Sequence, residues 1–237
     1  SRSSGPQHDY MGFSATKEYF YSSGHPAPGS GLVNPMGLMR SIDGGKSWVK
    51  LSLEGESDFH LLATSYGTNA VYIYNPGPNS KMKARGIHYT LNNGFVWNHA
   101  QAGGFNGAPT SLAVHPSDPK VVAIGSKDGL YLSTNSGDSF RAIATGQQTL
   151  AVFFDLDGTH LLVSSYAGAP ALVRVNWKTG AKRSLTLPPM ARDAVAYIAQ
   201  NPANRIEYAI ATFERSVYIT RDGGQSWQQI ARDGKGL

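Results

Sequence analysis

The chain has 237 residues, 27 of them glycine and 13 proline, with 41% hydrophobic but only 16% charged residues, a composition that supports a sizeable core and excludes coiled coils and long solvated helices. A net charge of +5, from 21 Lys and Arg against 16 Asp and Glu, is scattered along the chain, and no basic stripe interleaved with aromatics marks a nucleic-acid binder. The absence of cysteine excludes disulfides, thiolate metal sites and cysteine nucleophiles, and no apolar run approaches the ~18 residues of a membrane helix. From the N-terminus onward the chain reads as short strands punctuated by Gly, Pro, Asn and Asp turns. Strands are predicted at 10–16, 19–22, 38–42 and 48–52, then at 59–65, 70–74, 87–91 and 96–99. A third set falls at 111–115, 121–125, 130–134 and 140–144, and a fourth at 150–154, 161–165, 171–175 and 183–187. The fifth is 194–199, 208–212, 216–220 and 226–230.

Four strands in each repeat of about 45 residues is the signature of a β-propeller blade. The expectation is therefore an all-β, single propeller domain over 1–237, with five blades at 8–52, 58–100, 109–144, 148–187 and 193–232.

One motif recurs near the end of the third strand. It reads Ser41, Asp43, Gly45, Trp48 in the first blade, and Thr90, Asn92, Gly94, Trp97 in the second. It returns as Ser133, Asn135, Gly137, Phe140 and as Thr220, Asp222, Gly224, Trp227, while the fourth blade has only a turn at Asn176–Gly180. The Asp or Asn accepts backbone hydrogen bonds, the Gly supplies a left-handed position, and the aromatic opens the next strand and packs between sheets. Because Asn92 and Asn135 stand where Asp43 and Asp222 do, the motif needs an acceptor rather than a charge, and a structural role is assigned to all four.

This pattern resembles the Asp-box (BNR) repeat of sialidases, sortilin-type receptors and photosystem II stability/assembly factor-like proteins. The stretch from Thr110 to Ser133 looks especially like exported bacterial proteins labelled glycosyl hydrolase-like. The resemblance implies an extracytoplasmic setting and a six-bladed parent, of which this chain would lack the N-terminal blade. An open ring would then call for a partner or a second copy of the chain.

Propeller topology places the repeated turns on one face and the connections between second and third strands on the other, the top. There the first blade expands to Gly24–Gly37 and the second to Asn75–Arg85, lengths that are uncommon without a role. His8 and Asp9 enter the first strand of blade one, Asp58 and His60 that of blade two, and His25 opens the long loop. First strands line the channel, so these five residues are expected near its mouth, with Asp58 and His60 facing the same way.

Three readings follow. The first is a non-catalytic binding or assembly module that takes a protein partner or a small polar, carbohydrate-like ligand on the top face. The second is a glycoside hydrolase with Asp9 and Asp58, aided by Glu56 or Glu18, as its carboxylate pair. The arginine triad of sialidases finds no match among Arg40, Arg85, Arg174, Arg192 and Arg215. The third is a metal-binding protein in which His8, His25 and His60, with neighbouring carboxylates, hold Zn or Cu. His88, His99, His115 and His160 fall elsewhere in the repeat and read as structural.

Overall fold

The computed structural model describes residues 7–190 and 192–237, which form 21 strands and, among the described residues, no helix. The strands fold as the five blades of a β-propeller, each an antiparallel meander. The first sheet is β1 (Asp9–Ala15), β2 (Phe20–His25), β3 (Leu38–Ser41) and β4 (Val49–Ser52), and the second is β5 (Leu62–Thr64), β6 (Val71–Asn75), β7 (Gly86–Thr90) and β8 (Asn98–His99). The third comprises β9 (Pro109–Val114), β10 (Val122–Ser126), β11 (Gly129–Ser133) and β12 (Arg141–Thr145). The fourth comprises β13 (Gln148–Phe154), β14 (His160–Tyr166), β15 (Pro170–Asn176) and β16 (Lys182–Leu185). The fifth holds β17 (Val195–Gln200), β18 (Tyr208–Thr212), β19 (Val217–Thr220) and β20 (Gln228–Arg232), and gains an unpredicted edge strand, β21 (Lys235–Gly236).

Internal contacts divide the chain into two compact units. The first is the described part of Ser1–Phe105 with Val114–Val122 and Ser133–Phe140; the second is Asn106–Ala113, Ala123–Leu132 and Arg141–Leu237.

In the first unit, buried Tyr21, Leu38, Phe59, Val71, Ile73 and Met82 form one apolar cluster, with Trp97 packed against it. Three of the four repeated turns lie here and share one geometry. The Ser41 hydroxyl donates to Asp43 Oδ1 (2.8 Å) and accepts from Gly45 N (2.9 Å), while Asp43 Oδ1 accepts from Ser47 N (2.9 Å). The corresponding distances are 2.9, 3.0 and 2.9 Å at Thr90–Asn92, and 2.8, 2.9 and 3.0 Å at Ser133–Asn135. The turn glycine is needed twice over. At Gly137 φ is +89°, and a Cβ would lie 2.9 Å from Ala100 Cβ of the preceding blade. Trp97 completes the packing, its ring 5.9 Å from that of Phe59 and its indole N–H donating to Ser52 Oγ at 3.4 Å.

In the second unit, Leu162, Leu172, Leu185, Val195, Tyr208 and Ile210 form the apolar cluster, and Trp227 packs against it. The fourth repeated turn repeats the pattern at 2.7, 3.0 and 3.0 Å. Side-chain hydrogen bonds from Ser47 and Ser226 hold the Asp43 and Asp222 carboxyls, one in each unit, well below the usual carboxylate range. At the degenerate turn, Asn176 Oδ1 accepts from Lys178 N and Thr179 N, each at 3.0 Å. A buried charge also needs explaining here. Asp155, only 2% exposed at its side chain, accepts from Arg174 Nε (3.0 Å) and Nη2 (2.7 Å), from the Tyr208 hydroxyl (2.8 Å) and from Gln200 Nε2 (3.0 Å). These four side-chain donors, with the backbone N–H of Asp157 at 3.1 Å from Oδ1, compensate the desolvation that a buried carboxylate suffers.

Two stability outcomes are expected in denaturant melts. Ser133→Ala strands the buried Gly137 N–H and lowers stability by about 1–3 kcal/mol, whereas Asn135→Asp keeps the acceptor and leaves the midpoint nearly unchanged. Arg174→Met removes two of the five donors to Asp155 and costs about 3 kcal/mol, at the low end for a broken buried pair because Tyr208, Gln200 and the Asp157 N–H remain.

Candidate functional site

The site is built where the first blade meets the chain entering the second. Strand β1 carries a bulge between Tyr10 and Gly12. Gly12 lies so close to the next blade that a Cβ there would fall 2.0 Å from the Phe59 carbonyl oxygen. The Ser22 hydroxyl donates to Gly12 O (2.7 Å), and Ser23 Oγ accepts from Phe59 N (3.0 Å). Phe59 itself is fully buried. Its two neighbours of opposite pleat, Asp58 and His60, therefore turn outward together, as their spacing predicts. They do so from the segment leading into β5, not from the strand, since Phe59 N is spent on Ser23.

His25 closes β2 and pairs across the ladder with Asp9. The loop that follows is anchored at several points. Met36 N donates to Gly24 O (2.9 Å), Gly55 N donates to Pro35 O (2.7 Å), and the Met36 side chain is buried. The loop before β7 is anchored too: Asn79 Nδ2 donates to Ser57 Oγ (2.9 Å), Asn79 Oδ1 accepts from Met82 N (2.8 Å), and Met82 joins the core.

Three side chains converge on this scaffold. Asp58 Oδ2 lies 2.5 Å from His60 Nε2 and 3.1 Å from His25 Nε2, and the three candidate ligand atoms all fall within 4.8 Å of one another. The Asp58 side chain is 15% exposed, whereas those of His25 and His60 are 43% and 59% exposed, so the carboxylate sits at the floor and the rings open to solvent. The other carboxylate oxygen, Asp58 Oδ1, is buried without a hydrogen-bond partner among the described residues. His25 Nδ1 is 2.7 Å from Asn34 Oδ1. That bond raises the His25 pKa above the ordinary histidine value, reinforced by the charges of Asp58 and Asp9 and opposed by slight desolvation.

The remaining predicted residues are placed elsewhere. His8 was expected in the cluster; its Nδ1 instead accepts from Ala27 N (2.9 Å), and its ring meets Tyr10 edge-on at 5.7 Å. It braces the base of the long loop, and the neighbouring strand end supplies His25. Asp9 is exposed opposite His25. Glu56 accepts from Ser80 N and Ser80 Oγ, each at 2.8 Å, which depresses its pKa, and Glu18 accepts from Asn69 Nδ2 (2.7 Å). The arginines are separately occupied: Arg40 lies over the Tyr19 ring, Arg85 donates to the Tyr74 hydroxyl, and Arg174 serves Asp155. His88, its pKa lowered by burial, stacks on His99 with centroids 4.6 Å apart; His115 Nδ1 accepts from Asp118 N, and His160 pairs with Asp157.

Two features escaped the sequence reading. Asn34 is visible in sequence only as one polar residue of a long loop. A cleft of about 610 Å³ in the second unit is lined by, among others, Met190, Arg192, Asp193, Glu214 and Arg232. It mixes charges of both signs, and Asp193 Oδ1 already accepts from Ala194 N and Glu214 N.

No protein-family model matches the chain, and no curated protein matches it in sequence. Solved structures do match in fold. A GH74 enzyme from Niastella koreensis aligns with 93% of this chain at 16% identity and a TM-score of 0.61, and a GH74 xyloglucanase from Xanthomonas campestris aligns with 94% at 16% and 0.58. The β-propeller domain of Cps50 (Swd1) from Myceliophteria thermophila aligns with 90% of the chain at 12% identity and a TM-score of 0.59, over 64% of its own length. The chain spans only 38% of either GH74 enzyme. At such identities the likeness establishes the propeller fold.

The geometry around His25 has a direct spectroscopic consequence. In the metal-free chain, the His25 imidazole should titrate above the ordinary value of about 6.5 in an NMR pH series, and Asn34→Ala should move it downward. The sign follows from the raised folded-state pKa. This group's contribution to stability is complete below the unfolded pKa and is lost as pH rises through the folded one.

Proposed function

We propose that the chain is a non-catalytic recognition module, an Asp-box propeller that binds a protein partner or a small polar, sugar-like ligand through the loop-bearing edge of its first two blades. One observation carries this reading. Of the carboxylates that a hydrolase would need there, Asp58 is engaged by two histidines through Oδ2, Glu56 is held by Ser80, and Asp9 stands exposed opposite His25, so no two of the three are free of such partners. A glycosidase requires a carboxylic acid and a second carboxylate flanking the scissile bond, about 5–9.5 Å apart and free to exchange protons. Anchored loops, solvent-facing imidazoles and exposed Val33 offer instead a preformed surface with polar and apolar contacts. The GH74 neighbours keep hydrolysis as the contrary reading, but a shared propeller supplies no active site. The resemblance of the Thr110–Ser133 stretch to exported bacterial proteins supports an extracytoplasmic setting.

Hydrolysis and binding assays separate the two. Incubated with xyloglucan and a panel of aryl glycosides, the purified chain should release no product. On glycan and peptide arrays it should retain a ligand whose affinity falls at least about tenfold, or 1.4 kcal/mol, in a Val33→Asp/His60→Ala variant. Turnover that disappears in Asp58→Asn would overturn the proposal.

A further inference from the structure

We infer that His25, Asp58 and His60 form a site for one divalent transition-metal ion of the zinc or copper class, with coordination positions left open to solvent. The inference deepens the recognition-module reading and rests on it, since the ion would stand at the centre of the proposed binding edge.

The donor set comes first. Two imidazole nitrogens and one carboxylate oxygen suit Zn²⁺ and Cu²⁺, whereas Ca²⁺ and Mg²⁺ prefer oxygen cages. Around a tetrahedral ion with bonds of about 2.0–2.2 Å, ligand atoms stand about 3.3–3.5 Å apart. Asp58 Oδ2 lies 3.1 Å from His25 Nε2 and 2.5 Å from His60 Nε2, so each ring must draw back from the carboxylate oxygen by about 1 Å or less to admit the ion, and all three atoms already lie within 4.8 Å of one another. Both rings have room to make that adjustment, being 43% and 59% exposed.

Ring orientation supplies the second argument. Asn34 Oδ1 accepts the Nδ1–H of His25 at 2.7 Å, which turns Nε2 toward Asp58 Oδ2. An outer carbonyl on one ring nitrogen, directing the other inward, is how proteins orient metal-binding histidines. Asp58 adds a third, independent sign, because its buried Oδ1 has no partner among the described residues and leaves the carboxylate with unspent acceptor capacity.

The frame is rigid where it must be. Asp58 and His60 flank Phe59, which is pinned by Ser23 and by the close approach of Gly12, and His25 ends a paired strand. Three protein donors with an open remainder describe a site that holds an ion and presents it to something else, the arrangement of exchangeable rather than purely structural centres. The stacked pair His88 and His99 is the internal comparison, with its inner ring buried and its Nδ1 near Gly86 O.

The 237-residue chain, stripped with EDTA, should bind one equivalent of Zn²⁺ or Cu²⁺ in calorimetric titration. A His25→Ala/His60→Ala variant should lose that binding, His8→Ala should keep it, and Asn34→Ala should weaken it about 10–100-fold. With Cu²⁺, the EPR spectrum should carry hyperfine structure from two nitrogens. If the double variant fails a circular-dichroism check of folding, the exposed His60→Gln variant serves instead, and the spectrum should fall to one nitrogen. Absence of stoichiometric binding overturns the inference, as does binding that survives in the double variant and vanishes in His88→Ala/His99→Ala. Array binding measured on EDTA-treated and zinc-reloaded protein separates this inference from the reading beneath it. A ligand held equally well by both forms removes the metal and keeps the module. A bound ion with no array ligand sensitive to Val33→Asp or His60→Ala removes the module and keeps the metal.

Discussion

Backbone meets backbone where the first blade passes the entry to the second, and the site depends on that contact. Packed sheets ordinarily stand about 10 Å apart, separated by interdigitated side chains. At Gly12 no side chain intervenes, and the Phe59 carbonyl occupies the place a Cβ would take. Ser22 and Ser23 from β2 fasten both sides of this contact with their hydroxyls. Phe59 is thereby driven into the core, and Asp58 and His60 are left facing out beside the end of β2, where His25 stands. A glycine, two serines and one buried aromatic thus fix three polar side chains that share no strand.

The repeated turns and the proposed binding edge lie at opposite ends of the blades in the first unit. The repeated turns after β3 and β7 satisfy their own backbone groups with a hydroxyl and an Asp or Asn oxygen, and their glycines fit against neighbouring packing. Those turns tolerate an amide in place of a carboxylate because only the acceptor matters. The connections after β2 and β6 are long, yet they are not loose, because each drops a methionine into the interior and closes on backbone hydrogen bonds. Loops held this way can present side chains with little ordering cost on binding, which is what a preformed site requires.

Much of this was legible in the sequence. Alternating apolar patterns and turn residues located all four strands of every blade, and the recurrent Ser/Thr, Asp/Asn, Gly and aromatic spacing identified where the third strands end. The strand ends moved where side chains displaced the ladder. Strand β5 starts at Leu62 because Phe59 N bonds Ser23, and β8 starts at Asn98 because Val96 N bonds Asn92. Strand β21 went unread although Asp233-Gly234, both with positive φ, is a strong signal for a tight hairpin. In the candidate site, chain position grouped five residues, His8, Asp9, His25, Asp58 and His60, with His8 and Asp58 in equivalent places of the repeat; three of them converge. Repeat equivalence fixes where a backbone goes but not which neighbour captures an imidazole, and Ala27 N captures that of His8. Asn34 lay out of reach for the same reason: its contact with His25 depends on the path of a long loop that the repeat does not fix.

The central claim is that His25, Asp58 and His60 make one recognition centre on the edge of the first two blades. Anomalous diffraction at the zinc edge, from crystals of the full chain grown with one equivalent of Zn²⁺, tests it most directly. The account predicts a single strong peak about 2.0–2.2 Å from His25 Nε2, His60 Nε2 and an Asp58 oxygen, with further density at the open positions. A peak between His88 and His99, or none at the trio, would contradict it.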